Sequence, residues 1–242
     1  MNLPDGLFSP PIAHRGLWRA GEAAENSLAA FELACRTGYG VELDVQLSLD
    51  GEAMVFHDET LQRMTGAPGV VSDLTAEELK ALPLLGGPDR IPTLAEALEL
   101  IAGRVFLLVE IKSGPEERGA LESHVGHQLK RYAFDFGVIS FDPSAVAWFA
   151  VNHPGWPRGL DAAGFADEDI ERDPQLAQAL QSLTAECDPH FLVLETKSSI
   201  GRLARAQRAR GRPVVAWTVR STEDVAAVAD HVDNFIFEGF TA

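Results

Sequence analysis

Four short apolar runs in this chain end on charged residues or interleave with them. Ile12-Ala13 leads into His14-Arg15-Gly16, and Val41 and Leu43 alternate with Glu42 and Asp44. Ala53-Met54-Val55-Phe56 stops at His57-Asp58, and Val105-Phe106-Leu107-Leu108-Val109 stops at Glu110, followed by Ile111-Lys112. Short apolar runs read as buried strands. Ionised groups at strand ends are costly to bury unless they pair or hold a metal. Two histidines, three carboxylates, an arginine and a lysine therefore read as one site at one end of a sheet. That combination suits hydrolysis of a phosphate ester around a divalent metal.

Each residue type has work in such chemistry. Glu42 and Asp44 share a strand face because side chains alternate. Carboxylate oxygens are preferred by Mg²⁺ and Ca²⁺, and two unneutralised carboxylates repel, so a cation between them is the economical solution. Glu110 completes a three-carboxylate metal set. His14 and His57 can exchange protons near neutral pH. One would take a proton from the nucleophile and the other give one to the leaving oxygen, in an order the sequence leaves open. Arg15 offers a planar fork for two phosphate oxygens, and Lys112 adds positive charge there. Gly16 permits a sharp turn or a close approach to a ligand. Plain structural readings exist for each piece: a surface turn, an exposed polar face, a satisfied histidine, a Glu110–Lys112 ion pair. Taken one at a time they suffice; together they do not explain the shared placement. His124, His127, His153, His190 and His231 fall on helix-like or loop segments and receive no role.

The elements that must carry these residues alternate. Strand-like runs fall at 11–13, 40–45, 53–56, 105–111, 136–140, 158–160, 191–194, 213–219 and 234–237. Helix-like runs fall at 27–37, 93–101, 119–132, 144–152, 174–185, 200–211 and 222–231. Thr75 with Glu78, and Thr93 with Glu96, have capping-box spacing. Gly211 follows an Arg-rich last turn, as suits a helix C-terminus. Strand–helix alternation over 242 residues predicts an α/β fold, a TIM (β/α)8 barrel, as a single domain. Nine strand candidates compete for eight positions. Asp50-Gly51 signals a hairpin, so 53–56 is expected to be an added antiparallel strand, placing Glu42 beside His57. The Gly- and Pro-rich stretch 59–92 is too long for an ordinary connection. It is expected to form a small inserted subdomain after the strand ending at His57, shaping access to the site.

Composition sets outer limits. Of the residues, 46% are hydrophobic and 23% charged, with 36 acidic against 20 basic side chains and a formal charge of −16. That balance disfavours nucleic acid and anionic membranes as non-specific partners. A metal and a few cations can still invert the field in one pocket. Cys35 and Cys187 have no metal-ligand spacing and make no disulfide framework. No leader-like or membrane-spanning stretch stands out, so the expected address is the cytoplasm, with no stable membrane association. Oligomeric state is not readable.

The ordered set Ala13-His14-Arg15-Gly16, Glu25-Asn26-Ser27, Glu42-Leu43-Asp44-Val45-Gln46, Asp50-Gly51, Val55-Phe56-His57-Asp58, Pro92-Thr93-Leu94 and Glu110-Ile111-Lys112 resembles the glycerophosphodiester phosphodiesterases. Order, spacing and strand placement agree from about residue 12 to residue 112. Ser140-Phe141, Trp217-Thr218-Val219 and Asp233 match more loosely. The chain departs at Asp233-Asn234, at Phe237-Glu238 and at Glu195. The resemblance implies hydrolysis of a glycerophosphodiester to glycerol 3-phosphate and an alcohol, with one divalent cation, Mg²⁺ or Ca²⁺. It implies Glu42, Asp44 and Glu110 as metal ligands, and His14 and His57 as acid and base. Arg15 and Lys112 would bind the phosphate, and Trp217 would pack against the glycerol or headgroup. Glu25 and Asn26 are expected to shape a loop and start a helix. Other readings stay open: a lysophospholipid or other lipid phosphodiester hydrolase, a non-catalytic phosphate-binding module, or a metal-dependent hydrolase of another ester.

Overall fold

The computed structural model describes residues 2–114 and 118–242. The chain is an α/β protein of the TIM (β/α)8 barrel class. It contains two compact units, residues 13–136, and residues 1–12 with 137–242.

Residues 13–136 follow from β1 (Ile12–Ala13). They hold α1 (Leu28–Thr37), β2 (Gly40–Leu47), β3 (Ala53–Val55), α2 (Gln62–Thr65), α3 (Ala76–Ala81), α4 (Leu94–Ile101), β4 (Leu107–Ile111) and α5 (Ala120–Leu129). Strand β2 lies between β4, parallel to it, and β3, antiparallel to it. Its residues are buried on both faces except Gln46, as in a strand covered on two sides. The turn joining β2 to β3 is closed by Ser48, whose hydroxyl donates to Asp50 Oδ1 at 2.6 Å and accepts from the Glu52 N–H at 2.9 Å. Gly51 takes the left-handed conformation that this turn needs. The added antiparallel strand is therefore present, with Val45 opposite Val55 and Leu47 opposite Ala53.

Helix α1 begins where the Ser27 hydroxyl accepts the Ala30 N–H at 3.2 Å, and Ala30, Phe31 and Ala34 form its buried face. Thr75 and Thr93 form the capping boxes expected from spacing, each hydroxyl accepting from the backbone N–H of Glu78 or Glu96. Within 59–92, Leu61, Met64, Val71, Leu79, Leu84 and Ile91 pack in one cluster with Met54 and Phe56. Full burial of each such side chain is worth roughly 1.5–3 kcal/mol, which anchors the segment on β3.

The other unit takes up the chain in β5 (Phe136–Ser140). It continues through α6 (Pro143–Asn152), β6 (Arg158–Ala162), α7 (Asp167–Arg172), α8 (Gln175–Cys187), β7 (Phe191–Glu195), α9 (Thr196–Ser199), α10 (Arg202–Ala209), β8 (Val214–Val219), α11 (Thr222–Val228) and β9 (Asn234–Phe237). Strands β5 to β9 pair in sequence order, all parallel. Two expectations change here. The helix expected over 200–211 is shorter, running as α10 from Arg202 with Gly201 as its N-cap. Helix α7 was not expected, because Asp167-Glu168-Asp169 gives no apolar periodicity and only Ile170 is buried. Both cysteines are free thiols. Among the described residues, no helix is long and apolar enough to cross a membrane.

Candidate metal centre and phosphate site

The site residues of the 13–136 unit converge on the central strand. Glu42 and Asp44 are two residues apart on β2, and Asp44 is the register partner of Glu110 on β4. All three carboxylates are buried, and one oxygen from each lies within 4.8 Å of the others. Lys112 Nζ stands 2.9 Å from Glu110 Oε1 and 3.3 Å from Asp44 Oδ1. Arg15 Nε is 3.5 Å from Asp44 Oδ2, so two cations flank the acidic group.

The loop after β1 is shaped for this contact. Arg15 has a left-handed backbone (φ 57°), and its N–H donates to Glu42 Oε2 at 2.9 Å. A non-glycine residue in that region is uncommon and costs energy. Gly16 follows at φ 78°, and a Cβ there would sit 2.9 Å from the Ala30 backbone and 2.8 Å from the Phe31 ring. Its close approach is therefore to α1, rather than to a ligand as its sequence position left open. Asn26, also left-handed at φ 56°, donates from Nδ2 to Asp44 Oδ2 at 2.8 Å. Asn26 thus holds a site carboxylate, and Ser27, not Asn26, caps α1.

Charge follows geometry. Burial opposes the Asp44 charge, yet Lys112, His57, Arg15 and His14 around it hold its carboxyl well below the usual carboxylate range. Burial, and then the charges of Asp44 and Glu110, push Glu42 well up. Burial and Asp44 push Glu110 up to about 7. Burial works against the Lys112 ammonium, but Asp44 and Glu110 raise it above its ordinary value. Glu42 Oε1 is buried without a hydrogen-bond partner, and Asp44 Oδ1 meets the Lys112 ammonium at 3.3 Å. A buried polar atom without a partner calls for an explanation. An oxygen-liganded divalent cation fits, because all the donors are carboxylates.

His57 is placed by the hairpin. The β2–β3 ladder ends at Val45–Val55, and the Phe56 N–H donates to Asp44 O at 3.0 Å. Phe56 is thus opposite Asp44, and His57 follows it, near enough for its charge to bear on Asp44. Burial lowers the His57 pKa, against the pull of Asp44. Its Nδ1 is 2.8 Å from Asp58 Oδ1. Hydrogen bonds from Arg63 hold the Asp58 carboxyl down to about 2. An ionised carboxylate only accepts, so His57 Nδ1 carries the hydrogen and Nε2 is the nitrogen left for proton exchange. Arg63 also bonds both oxygens of Glu25, at 2.9 and 2.7 Å, and Glu25 Oε1 accepts from Arg15 Nη1 at 2.7 Å. Five carboxylates (Glu25, Glu42, Asp44, Asp58, Glu110) meet three permanent cations (Arg15, Arg63, Lys112). With all five ionised, the two negative charges left over match one divalent cation, which would favour releasing the protons that burial keeps on Glu42 and Glu110.

His14 lies in the same unit, near enough for its charge to bear on Asp44. Trp217 belongs to the other unit. There its Nε1–H donates to Val193 O at 3.3 Å, and its ring meets Phe141 edge-on at 5.3 Å. Arg63 escaped the sequence reading, because only tertiary contacts reveal its carboxylate partners. Its one signal is a lone cation soon after His57-Asp58.

With this fold and site, the comparisons converge. Residues 14–233 match the Glycerophosphoryl diester phosphodiesterase family, and the chain belongs to it. A glycerophosphodiester phosphodiesterase of Caldanaerobacter subterraneus is 43% identical over 137 residues, covering 53% of this chain and 55% of that protein. YhdW of Bacillus subtilis is 38% identical over 159 residues, covering 62% and 64%. The chain thus spans between half and two thirds of the length of these curated relatives. Human glycerophosphodiester phosphodiesterase 1 is 41% identical, over 91% of this chain and 75% of that one. A phosphodiesterase of Oleispira antarctica, solved with the product sn-glycerol-3-phosphate, superposes with a TM-score of 0.81 at 26% identity, over 96% of this chain and 93% of that one.

Proposed function

We propose that the protein hydrolyses glycerophosphodiesters to glycerol 3-phosphate and an alcohol. The observation that carries this reading is the buried cluster of Glu42, Asp44 and Glu110, with Glu42 Oε1 lacking a hydrogen-bond partner and Arg15 and Lys112 flanking Asp44. Glu42, Asp44 and Glu110 would hold Mg²⁺ or Ca²⁺. When bound, the ion supplies charge neutralisation and polarises a phosphoryl oxygen. The guanidinium of Arg15 and the ammonium of Lys112 bind the remaining phosphate oxygens and stabilise charge that grows in the transition state. His57, with Nδ1–H tied to Asp58, exchanges a proton through Nε2. His14 serves the opposite proton transfer. The family match and the glycerol-3-phosphate complex of the Oleispira protein support the substrate class.

Choice of alcohol falls to segment 59–92. With the loop carrying Trp18, it walls a cavity of about 320 Å³ whose lining includes Met64, Leu84, Leu85, Glu25 and Arg63. Leu85 is 65% exposed, and apolar surface at that position also favours a second reading, a lysophospholipid substrate. The deciding assay offers several glycerophosphodiesters and a lysophospholipid with Mg²⁺ or Ca²⁺ and detects glycerol 3-phosphate from the diesters and lysophosphatidate with its released alcohol from the lysophospholipid. Release of glycerol 3-phosphate from the diesters is expected. Turnover of the lysophospholipid alone would favour the second reading, and no turnover of any diester would overturn the first.

A further inference from the structure

We infer that Arg63 is a positioning residue, one guanidinium gripping both the carboxylate that orients His57 and the carboxylate that orients Arg15. The inference rests on the function proposed above. Arg63 stands on α2, in the segment 59–92. Its Nε and Nη2 donate to Asp58 Oδ2 and Oδ1 at 2.6 and 2.8 Å. Its Nη1 and Nη2 donate to Glu25 Oε2 and Oε1 at 2.9 and 2.7 Å. From Asp58 the chain of contacts runs to His57 Nδ1, and from Glu25 to Arg15 Nη1. A proton-transfer group and a phosphate-binding group are thus tied to one planar fork.

Only a guanidinium makes this clamp. Its donors are fixed in one plane and can meet two carboxylates bidentately, whereas an ammonium is a compact point charge. Stability gives Arg63 little reason to be there. Its own side chain is 48% exposed, so solvent screens its pairs with the less exposed Glu25 (11%) and Asp58 (20%). The only buried residue of α2 is the neighbouring Met64. Geometry is the larger stake, since a misplacement of about 1 Å can cost about 100-fold in rate.

The test compares Arg63→Ala and Arg63→Lys with wild type in kcat, KM and thermal midpoint. Both variants are expected to melt within a few degrees of wild type and to lose about 10- to 100-fold in kcat, with Lys failing to rescue. Millimolar guanidinium should partly restore the Ala variant. Because the clamp acts through its two carboxylates, adding Arg63→Ala to an Asp58→Asn, Glu25→Gln double variant should slow it little further. Multiplied losses, or an Arg63→Ala kcat within about twofold of wild type, would overturn the inference. A readout independent of turnover is the ring ¹⁵N spectrum of His57. It should report hydrogen on Nδ1 in wild type and a tautomer mixture in Arg63→Ala, and an unchanged ring would count against the clamp. If wild type hydrolyses no diester, the proposed function falls while the ring spectrum still decides the role of Arg63.

Discussion

Glu110 faces Asp44 directly across the β2–β4 ladder, carboxyl beside carboxyl, with both side chains buried. Burial, then the Asp44 charge, pushes Glu110 up to about 7. Glu42 shifts the same way. An acid whose folded pKa is raised holds its proton in the native state while the unfolded chain releases it. Between pH 4.5, the ordinary glutamate value, and about 7, the native state binds more protons, so metal-free stability falls as pH rises through that window. A divalent cation should remove the penalty. Thermal melts in EDTA and in Mg²⁺ or Ca²⁺ should therefore diverge as pH increases from 5 to 7. Parallel curves would argue against ion binding at this site.

Glu42 contributes one oxygen to the Arg15 N–H and leaves the other without a partner. Glu42→Gln keeps an acceptor for the backbone but removes a ligand charge. Calorimetric titration with Ca²⁺ or Mg²⁺ should show affinity reduced by at least about tenfold, the scale seen when even outer-shell partners are lost. Activity should fall in parallel, while wild type treated with EDTA becomes inactive and recovers on adding metal.

His14→Ala and His57→Ala should each lower kcat by about 100-fold or more, the usual contribution of a positioned acid or base, with unchanged circular dichroism. Near-normal rates in both variants would remove the acid–base assignment.

Gly16 combines a left-handed backbone with contact distances to Ala30 and Phe31 that leave no room for a methyl group. Gly16→Ala should destabilise the fold by about 2 kcal/mol or more and displace the Arg15 N–H from Glu42. Urea titration measures the first effect, and a raised KM measures the second.

Local pattern made much of this site legible. Glu42 and Asp44 declare a shared face by alternation. Thr75 and Thr93 announce their capping boxes, and Asp50-Gly51 reveals the hairpin. What stayed hidden depends on contacts far apart in sequence. Asn26 reads as a helix cap until Asp44 is seen 2.8 Å away. Arg63 carries no sequence signal of a role beyond its place after His57-Asp58, and its meaning emerges only where Glu25 and Asp58 converge on it. The register that sets Phe56 opposite Asp44, and so brings His57 beside the acidic cluster, is likewise not fixed by the hairpin signal alone.

The β2–β3 hairpin also bears on the order in which the protein folds. Asp44 and His57 are joined by a short closed loop, so their approach costs little chain entropy. Glu110 arrives much later in the sequence, on a parallel strand whose pairing is non-local and slower to form. Two of the three carboxylates and one imidazole can therefore assemble while the third carboxylate is still unfolded. Tight ion binding then becomes a reporter of β4 docking, and a late latch on that step.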